Sequence, residues 1–285
     1  YLQELKKRGI PTLLVSGIFR PNQPFFNWYG NIWRQMLQSF THFFIQNDES
    51  KKLLSSLGLN ANVSINGDTR FDRVVEIATK FEDVPFIKEF CGYDKVLVAG
   101  STWEEDEIEL LHFVNTHPDI KFIIAPHEIN EDNLADVKEE FPKSIFYSDW
   151  AANCRQGNAT PINNILIIDN VGMLSRLYAY AHIAYIGGGF GADGVHNVLE
   201  AAVYGKTVVH GPVYEKFDEA QGLIAAGAAM QIDGPIKLDT TLINLFSDEV
   251  ACSKMGQAAK NFVAANAGAS KKIIKYIQEN RLLTS

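Results

Sequence analysis

Short apolar runs alternate with longer amphipathic stretches along almost the whole chain. The apolar runs are rich in β-branched and aromatic residues and end at Gly, Ser, Pro, Asn or Asp. Their apolar character is continuous, which predicts strands buried on both faces of parallel sheets and covered by helices, as in a doubly wound α/β fold. The predicted strands are Thr12–Val15, Phe43–Gln46, Val63–Asn66, Val96–Ala99, Phe122–Ala125, Ile145–Tyr147, Ile165–Ile168, Ile183–Ile186 and Thr207–His210.

A domain boundary is predicted between residues 85 and 86. The surrounding segment mixes charged residues with Pro85 and Gly92, and a new strand follows it. Residues 1–85 hold three predicted strands, too few for a complete doubly wound domain, so they are interpreted as the later part of one. Residues 86–285 hold six strands and a helical tail, which predicts a complete domain. The stretch 151–163 is predicted to be a polar surface loop.

Composition excludes several classes of protein. The 285 residues are 46% hydrophobic, enough for a packed core, and the net charge of −8 disfavours nucleic-acid binding. The three cysteines form no CxxC pair and no HExxH motif is present, so no metal site is expected. No apolar run reaches the ~18 residues of a membrane span. The chain opens on Tyr1 rather than Met, which suggests a piece of a longer protein.

The densest motif is YIGGGFGADGVHNVLE, residues 185–200. Glycines allow backbone N–H groups to approach an anion, and a helix predicted to begin near His196 would add partial positive charge. Asn197 and Glu200 are three residues apart, so both can project from one helix face and hold a sugar or ribose diol. The alternative is a tight turn with an ordinary cap. Residues 189–194 fit GxGxxG, but the acidic residue expected after the next strand is missing, so no nicotinamide cofactor is expected.

Three further strand ends carry candidate chemistry. Gly100-Ser101-Thr102 precedes an acidic helix start, Pro126-His127 ends the next strand, and Gly172-Met173-Leu174 follows a later one. Ligands of open α/β sheets bind outside the carboxyl ends of strands, so these ends can converge with Gly187 on one crevice. The alternatives are an ordinary capped helix at Ser101 and a core role for Met173.

In the first segment, GDTRFDR follows a strand and begins a helix. Arg70 and Arg73 share a helix face and could clamp an anion. Solvated arginines on a capped helix are the alternative.

These stretches together resemble the 3-deoxy-D-manno-octulosonic acid (Kdo) transferases of lipopolysaccharide synthesis. The resemblance runs from about Gly9 to Ala229 and is carried by GDTRFDRV, AGSTWEEDE and the run from Asp169 to Pro212, with the Lys-Phe pair after it. It implies a GT-B glycosyltransferase with two Rossmann-like domains, the second complete and the first partial in this chain. The implied reaction moves Kdo from CMP-Kdo to the lipid A precursor (lipid IVA), inverting the anomeric centre without metal or cofactor.

The resemblance also implies roles for particular residues. Arg70 would be catalytic, supporting the transition state where the family usually has Lys. Arg70 is thus one departure from the family's pattern, and a second is Glu128 beside His127, where the family commonly has Arg. The implied substrate-binding residues, with those from the motifs above, are Ser101, Thr102, Pro126, His127, Gly172, Met173, Leu174, Gly187, Gly188, Gly189, His196, Asn197, Val198, Leu199, Glu200 and Lys216.

The family's general-base glutamate would precede Tyr1, so the isolated chain is expected to be inactive. The same missing part is expected to contact the membrane at the cytoplasmic side of the bacterial inner membrane, and this chain is expected to be soluble. Two alternatives stay open: another GT-B enzyme that uses a UDP-sugar (a transferase or an epimerase), or a nucleotide-binding module without activity of its own.

Overall fold

The computed structural model describes residues 1–158 and 163–282. Its strands are β1 (Leu13–Gly17), β2 (His42–Ile45), β3 (Val63–Ile65), β4 (Lys95–Thr102), β5 (Ile120–Pro126), β6 (Ser144–Phe146), β7 (Ile165–Ile167), β8 (Ile183–Ile186), β9 (Thr207–His210) and β10 (Ala229–Gln231). Its α-helices are α1 (Leu2–Lys7), α2 (Asn31–Leu37), α3 (Asp48–Ser56), α4 (Thr69–Thr79), α5 (Ile87–Cys91), α6 (Glu104–Thr116), α7 (Glu131–Glu140), α8 (Tyr147–Arg155), α9 (Leu174–Leu177), α10 (Leu199–Ala202), α11 (Asp218–Ala225), α12 (Pro235–Ser247), α13 (Glu249–Asn266) and α14 (Ala269–Glu279).

All nine predicted strands are confirmed, with small shifts at their ends, and β10 was not predicted. The loop predicted for 151–163 is wrong in its first part, because Ala151–Arg155 complete α8. Trp150 is buried and anchors that helix, and its Nε1 donates to the carbonyl of Phe86 at 2.8 Å. Residues 159–162 of the predicted loop lie outside the described residues.

The chain packs into two compact units. One contains Tyr1–Arg73 together with the C-terminal segment from Asn266, and the other contains Val74–Ala265. The domain boundary that the composition predicts between residues 85 and 86 stays a prediction.

The first unit is built on a parallel sheet with the order β1-β2-β3. Phe43 and Ile45 of β2 are fully buried and form a core with Leu54 of α3. The carboxylate of Asp72 accepts hydrogen bonds from the backbone N–H groups of Gly268 and Ser270, which caps the beginning of α14. The last helix therefore belongs to this unit by both capping and packing.

The second unit is a seven-stranded parallel sheet with the order β10-β9-β8-β4-β5-β7-β6. Its core joins buried residues of the central strands to buried residues of α6 and α12, such as Phe113 and Leu242. From β4 the chain passes to β5 on one side and later returns to β8 on the other. The carboxyl ends of β4 and β8 therefore flank the topological switch point, where ligands of such sheets bind.

Candidate functional site

The carboxyl ends of β4 and β8 approach each other so closely that glycine is required. A Cβ built on Gly187 would lie 2.2 Å from the carbonyl oxygen of Ser101. One residue before Ser101, a Cβ on Gly100 would lie 2.1 Å from Oη of Tyr178 and 2.6 Å from Cδ1 of Leu174. Ser101 itself has a positive φ of 54°, and the register of β4 shifts there. The structure thus brings the predicted residues Ser101, Leu174 and Gly187 to one edge of the sheet.

Asp106, in the first turn of α6, fixes the glycine loop. Its side chain is fully buried, and its Oδ1 accepts a hydrogen bond from Oη of Tyr185 at 2.7 Å. Its Oδ2 accepts hydrogen bonds from the backbone N–H of Gly188 at 2.7 Å and from that of Trp103 at 3.0 Å. Burial raises the pKa of Asp106, and these hydrogen bonds oppose that rise because they favour the ionised form. One side chain therefore connects the beginning of α6, the strand β8 and the loop that follows it.

Three aromatic rings stack beside the glycine loop. The ring of His127 lies 4.5 Å from Trp103 and 4.4 Å from His196 between centroids, at interplanar angles of 25° and 16°. Trp103 Nε1 donates to Nε2 of His196 at 2.9 Å, so a neutral His196 carries its proton on Nδ1. Burial and the neighbouring His127 lower the pKa of His196, while Asp193 opposes this. The stack brings together two predicted site residues, His127 and His196.

The pair Asn197 and Glu200 is in contact, as its spacing predicted. Nδ2 of Asn197 donates to Oε1 of Glu200 at 3.0 Å, and Oδ1 of Asn197 accepts from the N–H of Leu199 at 3.3 Å. The helix α10 begins at Leu199, three residues later than the predicted beginning near His196. Val198 and Leu199 are fully buried, so they pack in the core, and their contact with a substrate stays a prediction.

The backbone N–H groups of two loop glycines are already used within the protein. Gly187 donates to the carbonyl of Gly100 at 2.9 Å, and Gly188 donates to Asp106. A Cβ on Gly189 would lie 2.6 Å from the nitrogen of Gly211, so that glycine is also required by close packing. Much of the glycine run is thus explained by backbone approach. A direct contact of Gly187, Gly188 and Gly189 with a substrate stays a prediction.

Two predicted residues near β4 and β5 also have partners inside the protein. Thr102 is buried and its Oγ1 donates to Oε1 of Glu107 at 2.6 Å. Burial raises the pKa of Glu107 to about 7, and the nearby Glu140 adds to the rise. Pro126 is the last residue of β5, paired in register with Thr102, and the N–H of His127 donates to the Thr102 carbonyl at 2.8 Å.

The remaining predicted residues of the second unit lie in loops around this edge. Gly172 has a positive φ of 96°, and a Cβ there would meet no atom within 4 Å. Met173 is buried, in keeping with its core alternative. Lys216 is exposed. Three residues before it, the backbone N–H of Val213 donates to the carbonyl of Gly189 in the glycine loop at 2.8 Å.

Arg70 belongs to the first unit, where Asp68 holds its side chain. Nε and Nη2 of Arg70 both lie 2.7 Å from Oδ2 of Asp68, while Oδ1 of Asp68 accepts from the backbone N–H of Arg70 at 2.9 Å. The Asp68 side chain is 8% exposed and that of Arg70 is 45% exposed. The carboxylate thus positions a half-exposed guanidinium at the beginning of α4, and the catalytic role of Arg70 stays a prediction.

The described part of the chain contains neither a cluster of metal ligands nor a helix that could cross a membrane. Within residues 1–158 and 163–282, no three His, Cys, Asp or Glu side chains are grouped so that they could hold a metal ion. No helix in these same ranges combines the length and the apolar character that crossing a bilayer requires.

Known proteins match this chain over most of its length. Residues 1–73 match the family model described as 3-deoxy-D-manno-octulosonic-acid transferase (kdotransferase). The 3-deoxy-D-manno-octulosonic acid transferase of Bordetella pertussis is 27% identical, over 98% of this chain and 66% of its own length. This chain is thus similar in sequence to the Kdo transferases. A bifunctional glycosyltransferase/methyltransferase of Fusobacterium nucleatum is 30% identical, over 74% of this chain and 33% of its own length. The chain thus spans about two thirds of the length of the first of these proteins and one third of the length of the second.

Solved structures show the same fold. The C-terminal CMP-Kdo binding domain of WaaA from Acinetobacter baumannii matches with a TM-score of 0.51 and 17% identity, over 68% of this chain and 97% of that domain. A putative UDP-N-acetylglucosamine 2-epimerase from Listeria monocytogenes matches with a TM-score of 0.65 and 16% identity, over 100% of this chain and 72% of that one. The predicted α/β fold of GT-B type is confirmed.

Sequence reasoning missed two residues of the candidate site, Trp103 and Asp106. The acidic run 104–107 was interpreted as helix-start chemistry, which is also correct, because Asp106 accepts from the N–H of the N-cap residue. A signal was present in Tyr185, since a tyrosine in a buried strand needs a partner for its hydroxyl group. The partner could not be chosen from the sequence, because it lies 79 residues away.

Proposed function

We propose that this chain is the donor-binding part of a transferase that moves Kdo from CMP-Kdo to a lipid A precursor. The observation that carries the proposal is the Asn197–Glu200 pair, which lies next to the glycine loop at the switch point of the sheet. The backbone N–H of His196 donates to the carbonyl of Gly187 at 3.0 Å, which holds the residues before the pair against the loop. A carboxylate and an amide at such a place fit the hydroxyl groups of a ribose.

The aromatic stack fits the same donor. Trp103, His127 and His196 offer a flat surface beside the pair, and such a surface suits a base or a sugar ring. With its pKa lowered, His196 is neutral at neutral pH, so it contributes an uncharged ring and a donor at Nδ1. These three residues would bind and orient the donor.

The chemistry of transfer needs a base for the acceptor hydroxyl group and stabilisation of the departing CMP. Arg70 is proposed to meet the negative charge of the CMP phosphate or of the Kdo carboxylate, since its guanidinium is held ready by Asp68. The proposed transfer inverts the anomeric centre and needs no metal. Its acceptor, lipid IVA, would be reached at the cytoplasmic face of the inner membrane.

A direct test is the binding of CMP to the purified chain. Thermal unfolding is measured with CMP, UDP, NAD and no ligand; a ligand at 100 times its dissociation constant stabilises by about 2.7 kcal/mol when it binds only the folded state. Stabilisation by CMP, and not by UDP or NAD, is expected. Stabilisation by UDP alone would contradict the proposal and favour a UDP-sugar enzyme.

A pair of variants locates the site. Glu200→Ala is expected to weaken CMP binding by about 1–3 kcal/mol, the usual effect of removing a charged hydrogen-bond partner. Glu131→Ala is the matched control, because Glu131 lies exposed in the first turn of α7. Unchanged CMP affinity of Glu200→Ala, with a lowered melting temperature, would reduce Glu200 to a structural role.

A further inference from the structure

The second unit has a cavity at the edge of its sheet that lies opposite the candidate site. Its volume is about 320 Å³, and it is bordered by the amino ends of the adjacent parallel strands β4, β8 and β9. The last turn of α12 and the first turn of α13 complete its wall. Small-molecule pockets have volumes of roughly 300 Å³ and more, so this cavity has room for a small ligand.

Three basic side chains border the cavity, one from each strand end. Lys95 is the first residue of β4, His182 directly precedes β8, and Lys206 directly precedes β9. The register of β8 with β9 places His182 and Lys206 at neighbouring positions. Burial lowers the pKa of His182, and the charges of Lys206 and Lys95 lower it further, while Glu249 opposes this. Three nitrogen groups that carry or can carry positive charge therefore meet at one place.

Lys206 has no counter-charge within the described part of the protein. In residues 1–158 and 163–282, its half-buried ammonium group forms neither an ion pair nor a hydrogen bond. Burial lowers the pKa of this amine, while Cys252 opposes the shift. A half-buried ammonium group without a partner is unfavourable, because burial removes part of its hydration. An anion in the cavity would supply the missing partner.

The other two basic groups are fixed by contacts with the backbone. Nδ1 of His182 accepts from the N–H of Val96 at 3.0 Å, so a neutral His182 carries its proton on Nε2. Nζ of Lys95 donates to the carbonyl of Phe246 at 2.5 Å and lies 3.7 Å from Oε1 of Glu249. The Glu249 side chain is 81% exposed, so water screens its charge. Two lysines and one screened carboxylate leave the cavity with a net positive charge.

The backbone on both sides of Lys206 is packed tightly against α13. A Cβ on Gly256 would lie 2.1 Å from the carbonyl oxygen of Gly205, so this helix touches the turn before Lys206 directly. Oγ1 of Thr207 donates to the carbonyl of Cys252 at 2.7 Å, which joins the beginning of β9 to the first turn of the same helix. Lys206 therefore projects from a backbone that is held in place.

We propose that this cavity binds the phosphate group of a small phosphorylated molecule, with Lys206, Lys95 and His182 as donors. Lysine acts as a point charge that suits phosphate oxygens, whereas flat, two-point recognition of a carboxylate favours arginine. Leu245 and Phe246 border the cavity and offer an apolar surface to the rest of the ligand. The site lies at the amino ends of the strands, so it is separate from the proposed donor site at their carboxyl ends, and the inference does not depend on the proposed transfer reaction.

The test is the binding of inorganic phosphate to the purified chain, measured by isothermal titration calorimetry with and without CMP. Binding is expected in both cases, because CMP would occupy the opposite edge of the sheet. Lys206→Met keeps an apolar stem and is expected to weaken phosphate binding by about tenfold or more, the effect of losing a charged hydrogen-bond donor. Lys254→Met is the matched control, because Lys254 is exposed on α13 and is not among the residues that border the cavity. It should bind phosphate like the wild type.

Two further measurements test the charges of the cavity. Glu249→Gln is expected to strengthen phosphate binding by up to about fivefold, because it removes the negative charge beside Lys95. Phosphate should also slow the acetylation of Lys206 by acetic anhydride, followed by mass spectrometry, and leave that of Lys254 unchanged. The reason is that a bound anion keeps the Lys206 amine protonated and covers it. This labelling uses the wild-type protein, so it tests the site even if a variant folds poorly.

Three results would overturn the proposal. The wild type could fail to bind phosphate, or Lys206→Met could bind it as tightly as Lys254→Met while acetylation of Lys206 is unaffected by phosphate. The third is acetate binding at least as tightly as phosphate with the same dependence on Lys206, which would assign the cavity to carboxylates. Each of these results is independent of whether CMP binds, so the proposed function is tested separately.

Discussion

Replacing Asp106 tests whether one buried carboxylate organises the candidate site. Asp106→Ala removes the acceptor for three donors: the N–H of Gly188, the N–H of Trp103 and the hydroxyl group of Tyr185. Gly188 and Tyr185 are themselves buried, so water cannot readily replace the lost acceptor for these two. The loop after β8 should then loosen, and with it the residues that face the proposed donor.

The magnitude follows from the two buried donors. Each buried group left without a partner destabilises by about 1–3 kcal/mol, which gives about 2–6 kcal/mol for the pair. The raised pKa of Asp106 reduces this loss, because the buried carboxylate is itself unfavourable when ionised. We therefore expect the lower part of the range, about 3 kcal/mol, for Asp106→Ala. Asp106→Asn keeps one acceptor oxygen and should lose less.

The assay combines urea unfolding with hydrogen exchange followed by mass spectrometry. Exchange is expected to rise in peptides covering residues 183–190 and to stay unchanged in the first unit. Glu105→Ala is the matched control, since Glu105 lies in the same helical turn and is exposed. An unfolding free energy for Asp106→Ala within about 0.5 kcal/mol of the wild type, the range of neutral surface changes, would refute the reasoning.

Three further predictions concern other parts of the structure. Burial raises the pKa of Glu107 to about 7 from an ordinary 4.5, so the free energy of unfolding should fall as pH rises from about 4.5 to about 7. In urea unfolding, Glu107→Gln should lose this pH dependence and be more stable than the wild type above pH 7, by up to about 3 kcal/mol. Gly189→Ala should destabilise by about 1–3 kcal/mol through overpacking, while Gly191→Ala, whose Cβ would meet nothing closer than 3.5 Å, should melt like the wild type. In a transfer-competent full-length enzyme, Arg70→Ala should lower kcat and kcat/KM together by about 10²–10³-fold and leave the affinity for CMP unchanged. Arg70→Lys should recover much of the rate. An increase in KM alone for Arg70→Ala would contradict a catalytic role.

The sequence was sufficient to predict the strands, because their apolar runs are continuous and end at turn residues. It failed at β10, whose three residues Ala229–Gln231 form no apolar run and include an exposed Met230. It also failed in α8, because the stretch 151–163 was predicted as one polar loop although its first five residues belong to a helix that the buried Trp150 anchors. Short elements such as these depend on their neighbours more than on their own sequence.

The glycine run shows where sequence reasoning about the site reached its limit. Five glycines after a strand predicted an anion-binding loop, and the loop does lie at the switch point of the sheet. Which glycines serve packing depends on backbone segments distant in sequence, such as Ser101 against Gly187 and Gly211 against Gly189. That information is absent from any local window of the sequence. The Asn197–Glu200 contact could be predicted because its spacing is local.

The two units share one structural device at their candidate residues. Ser16 and Ser101 lie near the carboxyl ends of β1 and β4, with positive φ values of 52° and 54°, and the strand register shifts at each. Such a conformation in a non-glycine residue is unfavourable by about 1–3 kcal/mol and persists only where the surroundings impose it. Oγ of Ser16 accepts from the N–H of Thr69 at 3.0 Å, next to Arg70, whereas the carbonyl of Ser101 packs against Gly187. In each unit, therefore, the strained end of the strand contacts the segment to which chemistry is proposed. Backbone strain is expected at such places, because it can hold functional residues in position.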